Sequence, residues 1–579
     1  MRFDQIFPIA QWLPNYSSRD FRADFIAGLT VGVMLVPQGM AYGLLAGLPP
    51  IYGLYSGILP LFLYAFFGTS RQLSVGPVAL VSLLILSGVG AFAEPGTDYF
   101  VTLAISTALI AGVIQILLGL FRLGFLVNFL SHPVISGFTS AAALIIAFSQ
   151  TANLLGIQAP RSNIIHEILG YILAHLAEVH LLTLGLGLGG IVFMLLVKKL
   201  HKSIPNALAT VIVGTILVWY FQLDQQGVQI VGVVPKGLPT FSIPKLDWQI
   251  LSDLFPLALT ICIISFIESL AIAKTIESQH KEYKVVPNQE LFALGLTKIG
   301  GAFFQSFPTT GSFTRSAVNN EAGAKTGMAS IISAVLISLT LLFLTPLFYF
   351  LPKALLASII VVAVRNLIDY KEAIHLWKTD KKDFISLIGT FLATLTLGIQ
   401  IGVLTGLILS LLLIIYKASR PQFAVLGRLP DTKTFRNVLR FPEAIEEPGI
   451  KVVRFDSQLF FGNAEFFRES MEDLITAPGQ PRAVVLDASI ISSIDSTGIQ
   501  VFKGLIHYYH NHQVQFLVSG LIGPVRDTLH RNNLLQLIGE RNIFLRAHDA
   551  VTFLSNTPDS TPQNPIWSQE AIQTNLKNP

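Results

Sequence analysis

Between Phe25 and Tyr416 the chain runs as a succession of apolar segments separated by short polar turns. A hydrocarbon core of ~30 Å demands ~20 mainly apolar residues per helical span. Only helices or closed barrels can cross it, because no water is present to satisfy the backbone. The segments fall near 25–45, 50–67, 76–92, 100–120, 126–150, 181–198, 206–222, 254–276, 289–305, 314–322, 327–350, 353–367, 383–400 and 402–417. They predict a polytopic α-helical membrane protein of about fourteen segments, several too short or too interrupted to span alone. Composition agrees: charged residues make up 13% of the chain, against roughly 25% in soluble domains.

The basic residues orient the chain. With the N-terminus inside, the inner connections carry Arg71, Arg122, Lys198, Lys199, Lys202, Lys281, Lys284, Lys325, Lys371, Lys378, Lys381, Lys382, Lys417 and Arg420. The outer connection "AEPGTD" (93–98) has acids only, and "DQQGVQIVGVVPKGLP" (224–239) has one lysine. This positive-inside pattern puts both ends in the cytoplasm, in a plasma membrane such as a bacterial inner membrane. The net charge of +4 therefore reflects topology and implies no nucleic-acid partner. Residues 1–24 read as a short cytoplasmic lead-in, with neither the apolar core nor the cleavage site of a signal peptide. The single cysteine, Cys262, excludes an intramolecular disulfide and a cysteine-rich metal site, and reads as a small core residue.

Beyond the membrane domain (25–420) the composition changes. Residues 421–448 read as a linker containing Pro, Glu and Arg, and 449–555 as a soluble α/β domain. There "IKVVRF", "LFFG", "RAVVLDAS" and "QVQFLVSG" have strand character. "AEFFRESMEDLI", "STGIQVFKGLIHYYHNH" and "IGPVRDTLHRNNLLQLI" have helical character, and the alternation favours a helix-covered sheet. The polar residues 556–579 read as a disordered tail.

Two segments are broken in corresponding places. "SRQLSVGPVALVSLLIL" (70–86) and "FPTTGSFTRSAVNN" (307–320) each set Gly, Pro, Ser or Thr before a short helix, near the third and tenth positions of the series. Two repeats of seven segments predict that correspondence. Facing half-helix N-termini would aim unpaired N–H groups and positive dipole ends at the bilayer midplane, which suits an anion. Arg315, in the first turn of the second half-helix, adds a full charge. The alternatives are an arginine reaching for the interface or bonded to carbonyls as structural glue. Gln38 and Tyr42, four residues apart on one helix face, supply neutral donors, or else join neighbouring helices. Glu268 is an intramembrane carboxylate, functional by default. It either carries a proton or forms a permanent pair with Arg315.

These residues resemble the SulP sulfate permeases, which share their architecture with animal anion transporters such as pendrin and prestin. The matching stretches are "VPQGMAYGLLAGLPPIYGLYSGILPLFLYAFFGTSR" (36–71), "SVGPVALVSL" (74–83), "FIESLAIAKTIESQHKEYKVVPNQELFALG" (266–295) and "TTGSFTRSAVN" (309–319). The soluble part resembles a STAS domain through "LFFGNAEFF" (459–467) and "VLDASIISSIDSTGIQ" (485–500). The resemblance implies two inverted seven-segment repeats, with a core domain moving like an elevator against a gate domain. It implies an anion site at Gln38, Tyr42, the Val78–Ala79 backbone, Thr314 (often serine in the family) and Arg315, with proton coupling at Glu268. It also implies a homodimer. Ser496 matches the serine phosphorylated in related anti-sigma antagonists, although Asp495 and Ser496 can equally cap the helix beginning there.

The expected function is secondary active transport of a small inorganic oxyanion, sulfate with protons, without a cofactor or metal. Sodium-coupled bicarbonate transport and proton-coupled dicarboxylate transport remain open on the same fold. From another class come an anion channel and a membrane-anchored STAS signalling protein, neither of which needs a titratable carboxylate beside the site. No nucleophile–base set points to an enzyme.

Overall fold

The computed structural model describes residues 7–125, 131–158, 164–200, 205–280, 282–476 and 480–556. The chain divides near Leu411 into two units, a membrane unit and a soluble one.

The first helix, α1 (Ser18–Leu45), opens on a capping box. Ser17 Oγ accepts the Asp20 N–H (3.2 Å), and the Asp20 carboxylate accepts the Ser17 N–H (3.1 Å). The span therefore starts ahead of the expected boundary at residue 25, and Asp24 lies inside it, fully buried. Its carboxylate accepts the Lys325 N–H (2.6 Å), the Thr326 N–H (3.1 Å) and Oγ1–H (2.6 Å), and the Tyr16 O–H (3.1 Å). The second segment is α2 (Pro50–Tyr55) and α3 (Leu59–Phe67). A Cβ on Gly53 would lie 1.8 Å from the Gly39 carbonyl oxygen, so α1 and α2 meet backbone to backbone and only glycine fits.

Each of the fourteen expected segments contains a helix among the described residues. A two-residue strand β1 (Val75–Gly76) leads into the short α4 (Ala79–Val89), followed by α5 (Asp98–Leu120) and α6 (His132–Leu155). After α7 (Ile165–Ala174) come α8 (Leu181–Leu200) and α9 (Asn206–Phe221). The second half repeats the order with α10 (Trp248–Glu277), α11 (Pro287–Phe303), strand β2 (Thr310–Gly311) and the short α12 (Phe313–Glu321). It continues with α13 (Met328–Leu339, extended by irregular turns to Phe348), α14 (Lys353–Val364), α15 (Tyr370–Thr379), α16 (Lys381–Leu397) and α17 (Ile399–Ser419). Eight of the fourteen, among the described residues, are long and apolar enough to cross a bilayer by themselves. The extra helices α7 and α15, absent from the expected series, each follow the fifth segment of their half. This correspondence extends the internal repeat beyond the two half-helices.

Packing separates two bundles. In one, α1, α3, α5, α10, α11 and α13 enclose the half-helices α4 and α12; in the other, α6, α8, α9, α14 and α16 pack together. Helix α17 joins the second through Gly402 against Thr394 and Gly406 against Val134 and Thr390. The bundles meet where α1 touches α9 and α14 and where α4 touches α6. Leu181, Leu188 and Leu196 on α8, and Leu404, Leu412 and Ile415 on α17, are exposed, as a lipid-facing surface requires.

The soluble unit is a six-stranded sheet in the order β4-β3-β5-β6-β7-β8. Its strands are β3 (Phe423–Arg428), β4 (Phe435–Asn437), β5 (Ile450–Phe455), β6 (Ala483–Asp487), β7 (Gln515–Ser519) and β8 (Ile543–Phe544). β3 pairs antiparallel with β4 and β5, and the rest are parallel. Strand alternation sends Val453, Phe455, Val484, Leu486, Phe516 and Val518 to one face. There they pack with α18 (Ala464–Thr476), α19 (Ser496–Asn511), α20 (Gly523–Arg531) and α21 (Leu534–Ile538). Val452, Val485 and Leu517 meet α22 (Ala547–Asn556) on the other.

Three expectations change here. The stretch 421–448 is no mere linker, because β3 and β4 extend the sheet from it. "LFFG" forms no strand: Leu459 makes one isolated bridge to Ile494 before α18 begins. "IGPVRDTLHRNNLLQLI" is two helices, broken by Asn533 at φ +58°, a left-handed conformation that ends a helix. Of the expected tail at 556–579, Asn556 is the last residue of α22 and the remainder lies outside the described residues.

Candidate anion-binding site

β1 and β2 pair antiparallel, Val75 opposite Gly311 and Gly76 opposite Thr310. The Ser312 N–H donates to Ser74 O (3.0 Å), and the Ser74 N–H donates to Ser316 Oγ (2.9 Å). This crossing satisfies backbone groups that lipid cannot, and it sets the N-termini of α4 and α12 side by side. At 11 and 9 residues, the two helices are about 16 and 14 Å long, roughly half a bilayer core each.

The two N-termini differ. Ser312 caps α12 weakly, accepting the Arg315 N–H at 3.5 Å. No side chain caps α4, whose cap residue Val78 is extended (φ −138°, ψ 156°) and followed by buried Ala79. The N–H groups of its first turn therefore have no intrahelical acceptor.

Arg315 is fully buried. Its Nη1 donates to Pro77 O (3.0 Å) and its Nε to Ser74 Oγ (3.4 Å), so the guanidinium of one half-helix is anchored on the approach to the other. Nη2 has no hydrogen-bond partner among the described residues. It lies against Gly76, where a Cβ would approach to 3.1 Å. Glu268, on α10, is half-buried, and its Oε2 likewise accepts no hydrogen bond. Arg315, Glu268 and Tyr42 are close enough to interact electrostatically. Gln38 and Tyr42 are 5% and 6% exposed on successive turns of α1, which packs on both half-helices. Thr314 is half-buried in the first turn of α12.

Several residues escape sequence reasoning. Ser269 Oγ holds the crossing strand by accepting the Gly311 N–H (2.8 Å) and bonding Thr310 Oγ1 (2.9 Å). Asn319 Nδ2 donates to Gln72 O (2.9 Å), and Gln72 Nε2 donates to Ala324 O (3.0 Å). Two further charged residues are buried in α11. Glu290 accepts the Tyr64 O–H (2.7 Å) and the Thr69 N–H (2.7 Å), while Lys298 donates to Gln115 Oε1 (2.9 Å). The signal that selects Arg315 and Glu268, a charge inside an apolar segment, selects these two as well.

In the soluble unit Ser496 is exposed at the first position of α19. Asp495 caps that helix by accepting the Gly498 N–H (2.8 Å), and its other oxygen accepts the Phe461 N–H (2.8 Å). Cys262 is a buried free thiol. Among the described residues, no group of three or more His, Cys, Asp or Glu is placed to hold a metal ion.

Comparison with known proteins follows the same division. The profile of the Sulfate permease family matches residues 21–390, and that of the STAS domain matches 441–550. The chain is 40% identical over 567 residues to "Sulfate transporter 4.1, chloroplastic" of Arabidopsis thaliana, covering 95% of this chain and 82% of that protein. It is 36% identical over 572 residues to "High affinity sulfate transporter 2" of Stylosanthes hamata, covering 94% and 86%. Among solved structures, the murine Solute Carrier 26 family member A9 anion transporter, in its inward-facing state, superposes with a TM-score of 0.87 at 28% identity, covering 95% of this chain and 94% of that one. The transmembrane domain of the cyanobacterial bicarbonate transporter BicA gives 0.59 at 23% identity over 68% of this chain and 98% of that one, a likeness of fold.

Proposed function

This chain belongs to the sulfate permease family of anion transporters, and on that premise we propose that it takes up sulfate together with protons, as a secondary active transporter of elevator type. The observation that carries the reading is Arg315 Nη2, a buried cationic donor without a hydrogen-bond partner among the described residues, beside the uncapped N-terminus of α4.

Charge balance supports the choice of ion. Each half-helix N-terminus counts as about half a positive charge, so with Arg315 the site presents roughly two, matching a sulfate dianion. An ionised Glu268 would leave the loaded site negative in a low-dielectric interior, where unbalanced charge is expensive. A proton on Glu268 removes that excess, so anion and proton bind best together. Gln38, Tyr42, Thr314 and the Val78–Ala79 backbone would complete the oxyanion's hydrogen bonds with neutral donors, which orient it without holding it too tightly to leave. Sulfate is also the substrate for which the relatives above are named.

All these residues lie on α1, α4, α10 and α12, elements of one bundle. A rigid movement of that bundle against the other would carry the loaded site across the membrane barrier without dismantling it. This is the physical basis for the elevator reading. The basic inner loops favour a cytoplasmic N-terminus and STAS domain, and a cell membrane is the proposed location. A homodimer and phosphorylation at the exposed Ser496 complete the reading. Light scattering of the purified protein and mass spectrometry of Ser496 test these two.

The decisive experiment is labelled-anion uptake into proteoliposomes under imposed ion gradients. Sulfate uptake should follow an inward proton gradient, and Arg315→Gln should abolish it while the protein remains in the membrane. Normal uptake by Arg315→Gln would refute the site. Uptake of bicarbonate driven by sodium, or of fumarate in preference to sulfate, would refute the substrate.

A further inference from the structure

We propose that Lys298 is a positioning residue for the anion site, acting through Gln115 and Ser265 on the strand crossing that carries Arg315; the proposal rests on the reading of Arg315 and Glu268 as that site. Lys298 is 1% exposed in the middle of α11. A lysine in a membrane span carries a substantial insertion cost, and such residues normally pair with a carboxylate or serve a function. Among the described residues its one hydrogen bond goes to a neutral amide, Gln115 Oε1, at 2.9 Å.

The consequence is directional. An ammonium only donates, so Gln115 must turn its oxygen toward Lys298 and its Nε2 toward α10. Nε2 there donates to Cys262 O (3.0 Å) and to Ser265 Oγ (3.0 Å). The same Ser265 accepts the Thr310 Oγ1–H on its carbonyl (2.9 Å). With its proton committed, Thr310 Oγ1 must accept from Ser269 Oγ (2.9 Å), which in turn accepts the Gly311 N–H (2.8 Å). Each proton in the series is used once, and the two arms converge on Ser265, from Gln115 at its hydroxyl and from Thr310 at its carbonyl. Glu268 sits on α10 between the two serines. The series therefore fixes the height of the β2 strand, and with it Arg315, against the turn that bears the carboxylate. Removing the ammonium frees Gln115 to rotate, and the registration loosens.

The test uses the full-length reconstituted protein, with labelled sulfate uptake measured across pH, and Arg315→Gln alongside. Lys298→Met should raise the apparent KM for sulfate roughly two- to thirtyfold, the range for residues that modulate a site indirectly. It should also move the midpoint of the pH–uptake curve. Gln115→Glu keeps an acceptor for Lys298 but cannot donate to Ser265, and should reproduce both changes. If Lys298→Met does not reach the membrane, Gln115→Glu decides alone. Wild-type KM and pH midpoint in Gln115→Glu would overturn the proposal, even where Lys298→Met is impaired, since the lysine would then act by charge or packing. A silent Arg315→Gln would instead overturn the site reading itself.

Discussion

Replacing Gly76 by alanine should weaken anion binding while leaving the fold intact. The added Cβ would lie 3.1 Å from Arg315 Nη2, 3.8 Å from its Cζ and 3.9 Å from Leu35 Cδ1. A relaxed contact needs roughly 3.5 Å, so the guanidinium tip must withdraw by a few tenths of an ångström. The bonds from Nη1 to Pro77 O and from Nε to Ser74 Oγ resist that movement. The methyl group also crowds Nη2, which has no hydrogen-bond partner among the described residues and beside which an anion oxygen would sit at ~2.8 Å. Complete loss of one charge-assisted hydrogen bond is worth about 1.5–3 kcal/mol, or roughly ten- to a hundredfold in affinity. The backbone has no objection, because Gly76 lies in a paired strand outside the left-handed region. Gly→Ala at a compatible position gains about 0.4–1 kcal/mol from the unfolded state. The assay is the KM for labelled sulfate in proteoliposomes together with the melting temperature in detergent. Gly185→Ala serves as control, since nothing lies within 4 Å of its added Cβ. An unchanged KM in Gly76→Ala would refute the assignment of Nη2 to the anion.

Glu268→Gln keeps the shape but cannot release a proton, so sulfate exchange should persist while a pH gradient no longer drives net uptake; gradient-driven accumulation in parallel vesicle assays would contradict the coupling role. Asp24→Ala leaves two backbone N–H groups and the Thr326 hydroxyl without their acceptor. At about 1–3 kcal/mol per stranded buried group, the melting temperature should fall clearly, and an unchanged melting curve would show that water replaces the carboxylate. Tyr509→Phe removes the hydroxyl that donates to Met471 O (2.5 Å) inside the STAS domain. It should cost about 1 kcal/mol, read as a small shift of the soluble unit's unfolding transition with sulfate KM unaltered.

The membrane helices are legible in the sequence because apolar length is a strong signal and Gly, Pro and Lys mark the turns. Arg315 and Glu268 stand out because their surroundings are apolar enough to make a charge costly. Lys298 and Glu290 obey the same rule, yet "NQELFALGLTKIGG" is mixed enough in polarity to disguise it. Ser74, Ser265, Ser269 and Ser316 are beyond sequence reasoning, since most hydroxyls in spanning helices merely bond a carbonyl one turn back. Ser74 pairs with Ser316 across 242 residues, and Ser265 and Ser269 reach Thr310 and Gly311 across 41 to 45, separations that follow no spacing rule. β3 and β4 are hidden for a different reason: β4 is a three-residue edge strand with no buried side chain, and the Pro and Glu around both strands read as a connector.

The pairing of Val75 with Gly311 also has a consequence for biosynthesis. The two strands are separated by about 235 residues, which a ribosome adding ~5–20 residues per second needs roughly ten to fifty seconds to cover. For that interval the leading half holds α4 with its preceding backbone groups unpaired, in a medium that offers them nothing. A nascent chain halted before Thr310 should therefore be a ward of the insertion machinery, prone to recognition by quality-control proteases, and unable to retain an anion however long it waits.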